Sequence, residues 1–295
     1  MQDTPTILVT GANGQVGKEL RQLENEYPEY RFLFLSREDL PIHHFELVRN
    51  YFRAVKPRYL INCAAYTAVD KAESEQELAF QINAEAVGVL AAVCHEYGTK
   101  LLHLSTDYVF DGKGDQPYQP DTPTGPRSVY GASKLKGEEE ARRFDPDCII
   151  IRTSWVYSEF GKNFVKTMCR LMQEKEILQV VSDQYGSPTY AADLADFMLR
   201  LIRSGKWDPG IYHYCNQGVI SWYDFARQIR DFTGRNCRIT SVPSSGYPSI
   251  ASRPAYSALD CSMTFRTWPP PAPAWEESLL RCLKRLGVAI SGTGD

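Results

Sequence analysis

Tyr130 and Lys134 stand four residues apart in Tyr130-Gly-Ala-Ser-Lys134. On an α-helix that spacing puts both side chains on one face. A phenol ordinarily ionises near pH ~10. A neighbouring ammonium favours the phenolate, so the phenol becomes a better acid toward an alkoxide forming beside it. The chemistry suggested is proton donation to a carbonyl that is being reduced. Taken alone, the pair has an ordinary reading too, a surface tyrosine beside a solvated lysine.

Two further segments change the weight of that pair. Leu104-Ser105-Thr106-Asp107-Tyr108-Val109-Phe110 ends an apolar, strand-like run in hydroxyl residues. Ligands of open α/β sheets bind beyond the carboxyl ends of the strands, so hydroxyls placed there can bond to a reacting carbonyl. Nearer the N-terminus, Thr10-Gly11-Ala12-Asn13-Gly14-Gln15-Val16-Gly17 has the spacing G-x-x-G-x-x-G. Gly11 permits a tight strand-to-helix turn, Gly14 a close backbone approach to a pyrophosphate, and Gly17 close helix–sheet packing. A helix starting near Gln15 would aim free N–H groups at the phosphates. A dinucleotide with a nicotinamide end is therefore expected, and Lys134 is long enough to reach its ribose.

The adenosine end of that cofactor is expected at Leu35-Ser36-Arg37. NAD-preferring folds place an acidic residue at this strand end. Ser36 is neutral here, and Arg37 can pair with a 2′-phosphate. The reading leans to NADPH, and the neighbouring Glu38 and Asp39 keep NADH as the alternative.

The elements that must hold these residues alternate. Strand patterns cover Thr6–Thr10, Arg31–Leu35, Tyr59–Cys63, Lys100–Leu104 and Cys148–Arg152. Helical patterns fall near 15–26, 45–55, 74–97 and 130–144. Continuous apolar strands alternating with helices predict a parallel sheet covered on both faces, a doubly wound Rossmann-type α/β fold. After Trp155 the texture becomes turn-rich, with helix candidates at 191–204, 221–233 and 274–286. Residues 1–155 are expected to form mainly the dinucleotide-binding domain. Residues 156–290 are expected to form mainly a smaller C-terminal α/β substrate lobe interleaved with the end of the sheet, and 291–295 a flexible tail.

Bulk composition excludes little but is consistent. The chain has 295 residues, 43% hydrophobic and 23% charged, with a formal net charge of -3, so no nucleic-acid or membrane-surface partner is indicated. Eight cysteines show no C-x-x-C pair, and Cys63, Cys148 and Cys215 read as buried free thiols. No signal-like segment precedes the first strand, and no apolar run approaches ~18 residues. A cytoplasmic protein is expected. His43-His44 reads as a solvated loop rather than a metal site.

Taken together, these and other segments resemble the extended short-chain dehydrogenases, whose phosphate turn has this wider glycine spacing. Within them they resemble the dTDP-4-dehydrorhamnose reductase family. The matching stretches are Gly11–Gly17, Asn62-Cys-Ala-Ala-Tyr-Thr-Ala-Val-Asp-Lys-Ala-Glu73, Ser105–Phe110, Tyr130–Lys134, Arg152-Thr-Ser-Trp155, Asn163-Phe164, Asp183–Thr189, Arg253-Pro254 and Leu259-Asp260. The resemblance implies reduction of the C4 ketone of dTDP-4-dehydro-β-L-rhamnose to dTDP-β-L-rhamnose, a step toward cell-surface polysaccharide.

By the same resemblance, Tyr130, Lys134 and Thr106 are catalytic. Gly14, Gln15 and Val16 hold the pyrophosphate between Gly11 and Gly17, and Ala64, Ala65, Tyr66, Thr67 and Ser105 line the cofactor. Thr106, Asp107, Trp155, Asn163 and Arg253 meet the sugar nucleotide, Trp155 by covering the ring. The chain departs from the family near Pro41, where an acidic residue usually lies by the adenine. Tyr66 stands where relatives often have a small residue or histidine. Some members bridge two subunits through Mg²⁺ on acidic residues, and Glu19 matches one of these. No acidic cluster surrounds Ala191-Ala192-Asp193, and no metal is expected. The partner implied is a small nucleotide sugar, bound by a monomer or homodimer. Two alternatives share the scaffold: an NADP-binding regulator resembling the methionine adenosyltransferase β subunit, and a reductase or epimerase of another nucleotide 4-keto sugar.

Overall fold

A computed structural model describes residues 4–247 and 249–291. The expected flexible tail lies, beyond Ser291, outside the described residues. The first half of the chain runs β1 (Thr6–Thr10), α1 (Gln15–Leu23), β2 (Arg31–Leu35), α2 (Phe45–Val55), β3 (Tyr59–Asn62), α3 (Val69–Ala72), α4 (Gln76–Phe80), α5 (Ala86–Tyr97), β4 (Lys100–Thr106), α6 (Val129–Phe144) and β5 (Ile149–Thr153). Gln81–Glu85, between α4 and α5, is a π-helical turn. The second half adds β6 (Val156–Tyr157), α7 (Phe164–Glu174), β7 (Ile177–Val181), β8 (Tyr185–Gly186), β9 (Thr189–Tyr190), α8 (Ala191–Arg203), β10 (Gly210–His213), β11 (Ile220–Ser221), α9 (Trp222–Thr233), β12 (Arg238–Val242), α10 (Ser262–Thr267) and α11 (Trp275–Arg285).

Six strands form one sheet in the order β10-β5-β4-β3-β1-β2, and every pairing in it is parallel. The chain leaves β1 toward one edge and returns to build the other from β3 onward. The strand order therefore reverses between β1 and β3, the point where such sheets open a ligand crevice. Successive strand residues serve opposite layers. Ile7 and Val9 pack with α1 and α8, whereas Leu8, Leu60, Leu101 and Ile150 pack under α2, α5 and α6. Burial on both faces is why these strands read as unbroken apolar runs.

A separate core gathers α7, α9 and α11 with β7, around Tyr157, Tyr190, Phe225 and Leu279. Three two-stranded pairs, β12-β7, β11-β8 and β6-β9, complete that lobe. Helix α8 and strand β10, although late in the chain, belong to the main sheet layers.

One expectation needs correction. The helical run Gln76–Tyr97 is long and apolar enough, by length and composition, to cross a membrane, and more than half of it is buried inside the protein. Polar residues interrupt it, which hides it from a search for unbroken apolar sequence. It averages apolar because α5 packs against α2 and α6 as well as the sheet, so little of its surface is left for polar side chains.

Candidate active site

The carboxyl ends of β1, β3 and β4 open into a cleft of about 870 Å³. Gly11, Gly14, Gln15, Val16, Gly17, Ser36, Arg37, Ala64, Ala65, Tyr66, Thr67, Ser105, Tyr130 and Lys134 all line it. Every residue that sequence reasoning assigned to the cofactor thus faces one space. At its floor, Gly11 turns with φ of +69°, and a Cβ there would lie 2.6 Å from the Ala64 nitrogen. Only glycine lets the turn sit this close to the end of β3. Gly14 precedes α1 as its N-cap and, having no side chain, leaves the leading N–H groups of the helix facing the cleft without a side-chain cap.

At the far end, Ser36 and Arg37 follow β2, and Leu40 and Ile42 give an apolar wall. That wall flanks Pro41, where the resemblance implies an acidic residue. The Ser36 N–H donates to Asp39 at 2.8 Å, which turns that carboxylate back on its own loop. Tyr66 donates its phenol to Glu75 at 2.6 Å. His43 also lines the cleft, its ring 4.2 Å from that of the exposed His44.

Tyr130 and Lys134 ride on α6, which Ser128 caps by accepting from the Gly131 N–H at 3.1 Å. Glu73 adds a second cap, accepting from the Val129 N–H at 2.9 Å. Helix α6 lies hard against the π turn, where a Cβ on Gly137 would come within 2.0 Å of the Asn83 carbonyl oxygen. Asn83 works in both directions. It accepts from the Tyr66 N–H at 2.8 Å, and donates to the Tyr66 carbonyl and to Ser133 at 3.0 Å each. It therefore fastens the Ala64–Thr67 wall to the helix that carries the tyrosine.

Burial holds the Tyr130 phenol above its ordinary pKa, and a hydrogen bond with Thr106 pulls it partly back. Burial lowers Lys134 to about 8, opposed mainly by Glu138. Nζ of Lys134 donates to the Leu104 carbonyl at 2.7 Å. Cys148 and Cys215 are buried as expected, but Cys63 is half-buried in the cleft wall. Ser105 donates to Glu138 at 2.5 Å, and Glu138 forms a buried ion pair with Arg152 at 2.6 Å.

Thr106, Asp107, Trp155, Asn163 and Arg253, the expected sugar contacts, lie outside this lining. Thr106 donates to Asp107 Oδ1 at 2.9 Å, and Oδ2 of that buried aspartate has no hydrogen-bond partner among the described residues. Trp155 is held in left-handed backbone (φ +49°) and stacks on Trp222 with ring centroids 3.5 Å apart. A non-glycine residue in that conformation carries strain of the kind found at binding sites. Asn163 caps α7 through Lys166 N–H, and its amide donates to Gln15 and to the Ser158 carbonyl at 2.8 and 2.6 Å. Its hydrogen-bonding capacity thus joins the phosphate turn to the second lobe. Arg253 pairs with Asp70 at 2.8 Å, tying the 249–253 segment to α3.

Glu19 faces inward, 1% exposed, with Ser158 on one oxygen at 2.6 Å and Arg285 at 3.5 Å from the other. Arg285 also pairs with Glu159 at 3.2 Å. A guanidinium already lies between these carboxylates, so the residues present do not fit a metal shared between subunits. Sequence reasoning missed Asn83, His103 and Glu138. A polar residue inside an apolar run was the available signal for the first two.

Comparison with known proteins places the chain in a family. The model of the RmlD substrate binding domain matches residues 5–288. The spore coat polysaccharide biosynthesis protein SpsK of Bacillus subtilis is 44% identical, across 86% of this chain and 88% of its own. The dTDP-4-dehydrorhamnose reductase of Sinorhizobium fredii is 40% identical, across 93% and 95%. A crystal structure of the Bacillus anthracis dTDP-4-dehydrorhamnose reductase in complex with NADP superposes with a TM-score of 0.92 at 38% identity, covering 96% of this chain and 99% of that one. The chain belongs to the dTDP-4-dehydrorhamnose reductase family.

Proposed function

We propose that this protein reduces the C4 ketone of dTDP-4-dehydro-β-L-rhamnose to dTDP-β-L-rhamnose with NADPH, in the cytoplasm, as a monomer or homodimer. The observation that carries the reading is the single cleft joining Tyr130, Lys134 and Ser105 to the uncapped start of α1 and to Ser36 and Arg37. That cleft fits a dinucleotide. The glycine turn and the helix N–H groups suit a pyrophosphate, and Arg37 suits a 2′-phosphate. When bound, the cofactor supplies a hydride.

This chain's residues do the rest. Tyr130 gives its phenolic proton to the oxygen that becomes the C4 hydroxyl. Lys134, titrating at about 8, is largely ammonium at pH 7 and stabilises the phenolate left behind. Thr106 holds the phenol oriented. Ser105, its proton committed to Glu138, offers lone pairs to the nicotinamide end. Asp107, whose second carboxylate oxygen is buried without a partner among the described residues, would accept from a sugar hydroxyl, Trp155 covers the ring, and Arg253 closes the nucleotide side through Asp70. Asn163 acts through Gln15 by setting the lobe against the phosphate turn. Residues 156–290 contribute Arg253 to a sugar site whose other contacts, Asp107 and Trp155, precede them in the chain.

The test follows absorbance of reduced cofactor with NADPH and dTDP-4-dehydro-L-rhamnose. Tyr130→Phe should lose at least ~100-fold in kcat, in the range of general acid catalysis, with cofactor affinity retained. Oxidation no faster than in the variant would refute the reading and favour a binding-only regulator.

A further inference from the structure

Thr10, Asn62 and His103 are register partners on β1, β3 and β4. Their side chains form a polar row where the apolar face under α6 ends. Thr10 Oγ1 donates to Asn62 Oδ1 at 2.6 Å, and the Ala64 N–H donates to the same oxygen at 3.2 Å. Two donors on Oδ1 fix which way the carboxamide points. Its Nδ2 faces His103 Nδ1 at 2.9 Å. An amide nitrogen only donates, so His103 Nδ1 must accept and carries no proton. The ring is fully buried, and burial with Lys134 alongside keeps its pKa far below the ordinary histidine value. Its one proton is therefore on Nε2, and Nε2 lies 3.4 Å from Lys134 Nζ.

That arrangement sets a donor against a donor whenever Lys134 is an ammonium. Toward a neutral amine the same N–H would meet a lone pair. We propose that His103 is a positioning residue for Lys134, its tautomer fixed by Asn62, and that the Nε2–H it presents favours the amine over the ammonium.

Other groups face the same nitrogen. Glu138, one turn further along α6, favours the ammonium, while burial disfavours it. The Cys63 thiol, just past β3, is pushed up to about 12 by burial and carries no charge near neutrality. Tyr130, one turn earlier, presents a neutral phenol. The Leu104 carbonyl accepts from Nζ in either state. His103 adds a directional contribution on the side of the amine, so Lys134 exchanges its proton near neutrality. A lysine that does so can return a proton to Tyr130 after each turnover. This consequence rests on the reductase reading, whereas the tautomer does not.

The test uses the full-length protein with ¹⁵N-labelled histidine, without substrate. His103 is assigned by the signal missing in His103→Leu, or in His103→Gln should the leucine variant not fold. Its ring should be neutral and protonated on Nε2 from pH 6 to 9. The Nε2 shift should move as Lys134 titrates, and stay still in Lys134→Met. An Nδ1-protonated ring, an imidazolium at pH 7, or an Nε2 shift blind to Lys134 overturns the proposal. With substrate, the alkaline limb of kcat/KM should move up by roughly half a pH unit or more in the His103 variant. A lower kcat on an unmoved limb would mean that His103 only packs. Normal tautomer behaviour without turnover would instead count against the reductase reading alone.

Discussion

Asp107 offers the sharpest test, because one substitution should strengthen the fold and weaken the enzyme. Its carboxylate is buried just past β4, with Thr106 on one oxygen and, among the described residues, no hydrogen-bond partner on the other. Burial raises its pKa from 3.8 to about 6. Ser257 and Thr106 offset part of that shift, but Ser257 closes no hydrogen bond on Oδ2. The folded state therefore holds this proton more tightly than the unfolded chain does. The group's contribution to stability is full below pH 3.8 and is lost as pH rises through about 6. At ~1.36 kcal/mol per pKa unit, ionisation costs the folded state about 3 kcal/mol above that window.

An asparagine at this position would keep the shape and the contact with Thr106 but could not ionise. Its unpartnered amide would return about 1 kcal/mol of that gain. At pH 8, Asp107→Asn should thus be about 2 kcal/mol more stable, a rise of about 4 °C in Tm for a chain of this size. At pH 4 the gap should nearly close. Differential scanning calorimetry at both pH values checks it. A pH-independent gap, or a variant less stable at pH 8, would refute the argument. In the same variant, loss of a charged acceptor for a sugar hydroxyl should lower kcat/KM roughly ten- to a hundredfold.

Glu138→Gln leaves the Arg152 guanidinium without its partner where both side chains are 3% exposed. Denaturant titration should show a loss of about 3–5 kcal/mol, and a loss under ~1 kcal/mol would show that the pair is not desolvated as the geometry requires. Gly137→Ala places a methyl 2.0 Å from the Asn83 carbonyl. Helix α6 must lift off the π turn, costing about 1–3 kcal/mol and lowering kcat along with Tm. Unchanged Tm and kcat would mean that the helix–turn contact can yield freely.

The main sheet was legible because four of its first five strands are buried on two faces, which leaves apolar runs too continuous to miss, and the edge strand β2 still carries Phe32, Leu33 and Phe34 half-buried. Strand β10, Gly210-Ile-Tyr-His213, is short and carries no such run. The lobe's two-residue strands have no periodicity to read, since their pairings come from tertiary packing. Asn163 shows how one residue can carry two signals. Its residue type suits a sugar contact, but Asn ahead of Phe-Val-Lys is also the start signal of a helix, and here it serves as the cap of α7. Trp155 carried no local hint of its left-handed backbone. That conformation coexists with its stack on Trp222, 67 positions away, and with the missing side chain of Gly186, where a Cβ would sit 2.7 Å from the indole.

The site divides along the same line. Tyr130 and Lys134 could be paired from sequence because a helix turns a spacing of four into a contact. Their support could not, because it is a matter of register. Thr10 and Asn62 are 52 residues apart, and Asn62 and His103 are 41 apart. Nothing in either interval encodes adjacency until three parallel strands align at their carboxyl ends. Once they align, period-two alternation places Thr10, Asn62, His103, Ser105 and Arg152 on the face that also carries Leu8, Leu60, Leu101 and Ile150. The apolar layer under α6 therefore becomes polar where the cleft begins. The helix answers with Lys134 and Glu138, one turn apart. The same alternation that builds the core thus brings the buried charges to the cofactor end, and a shift of one residue in β4 would exchange His103 and Ser105 for Leu102 and Leu104.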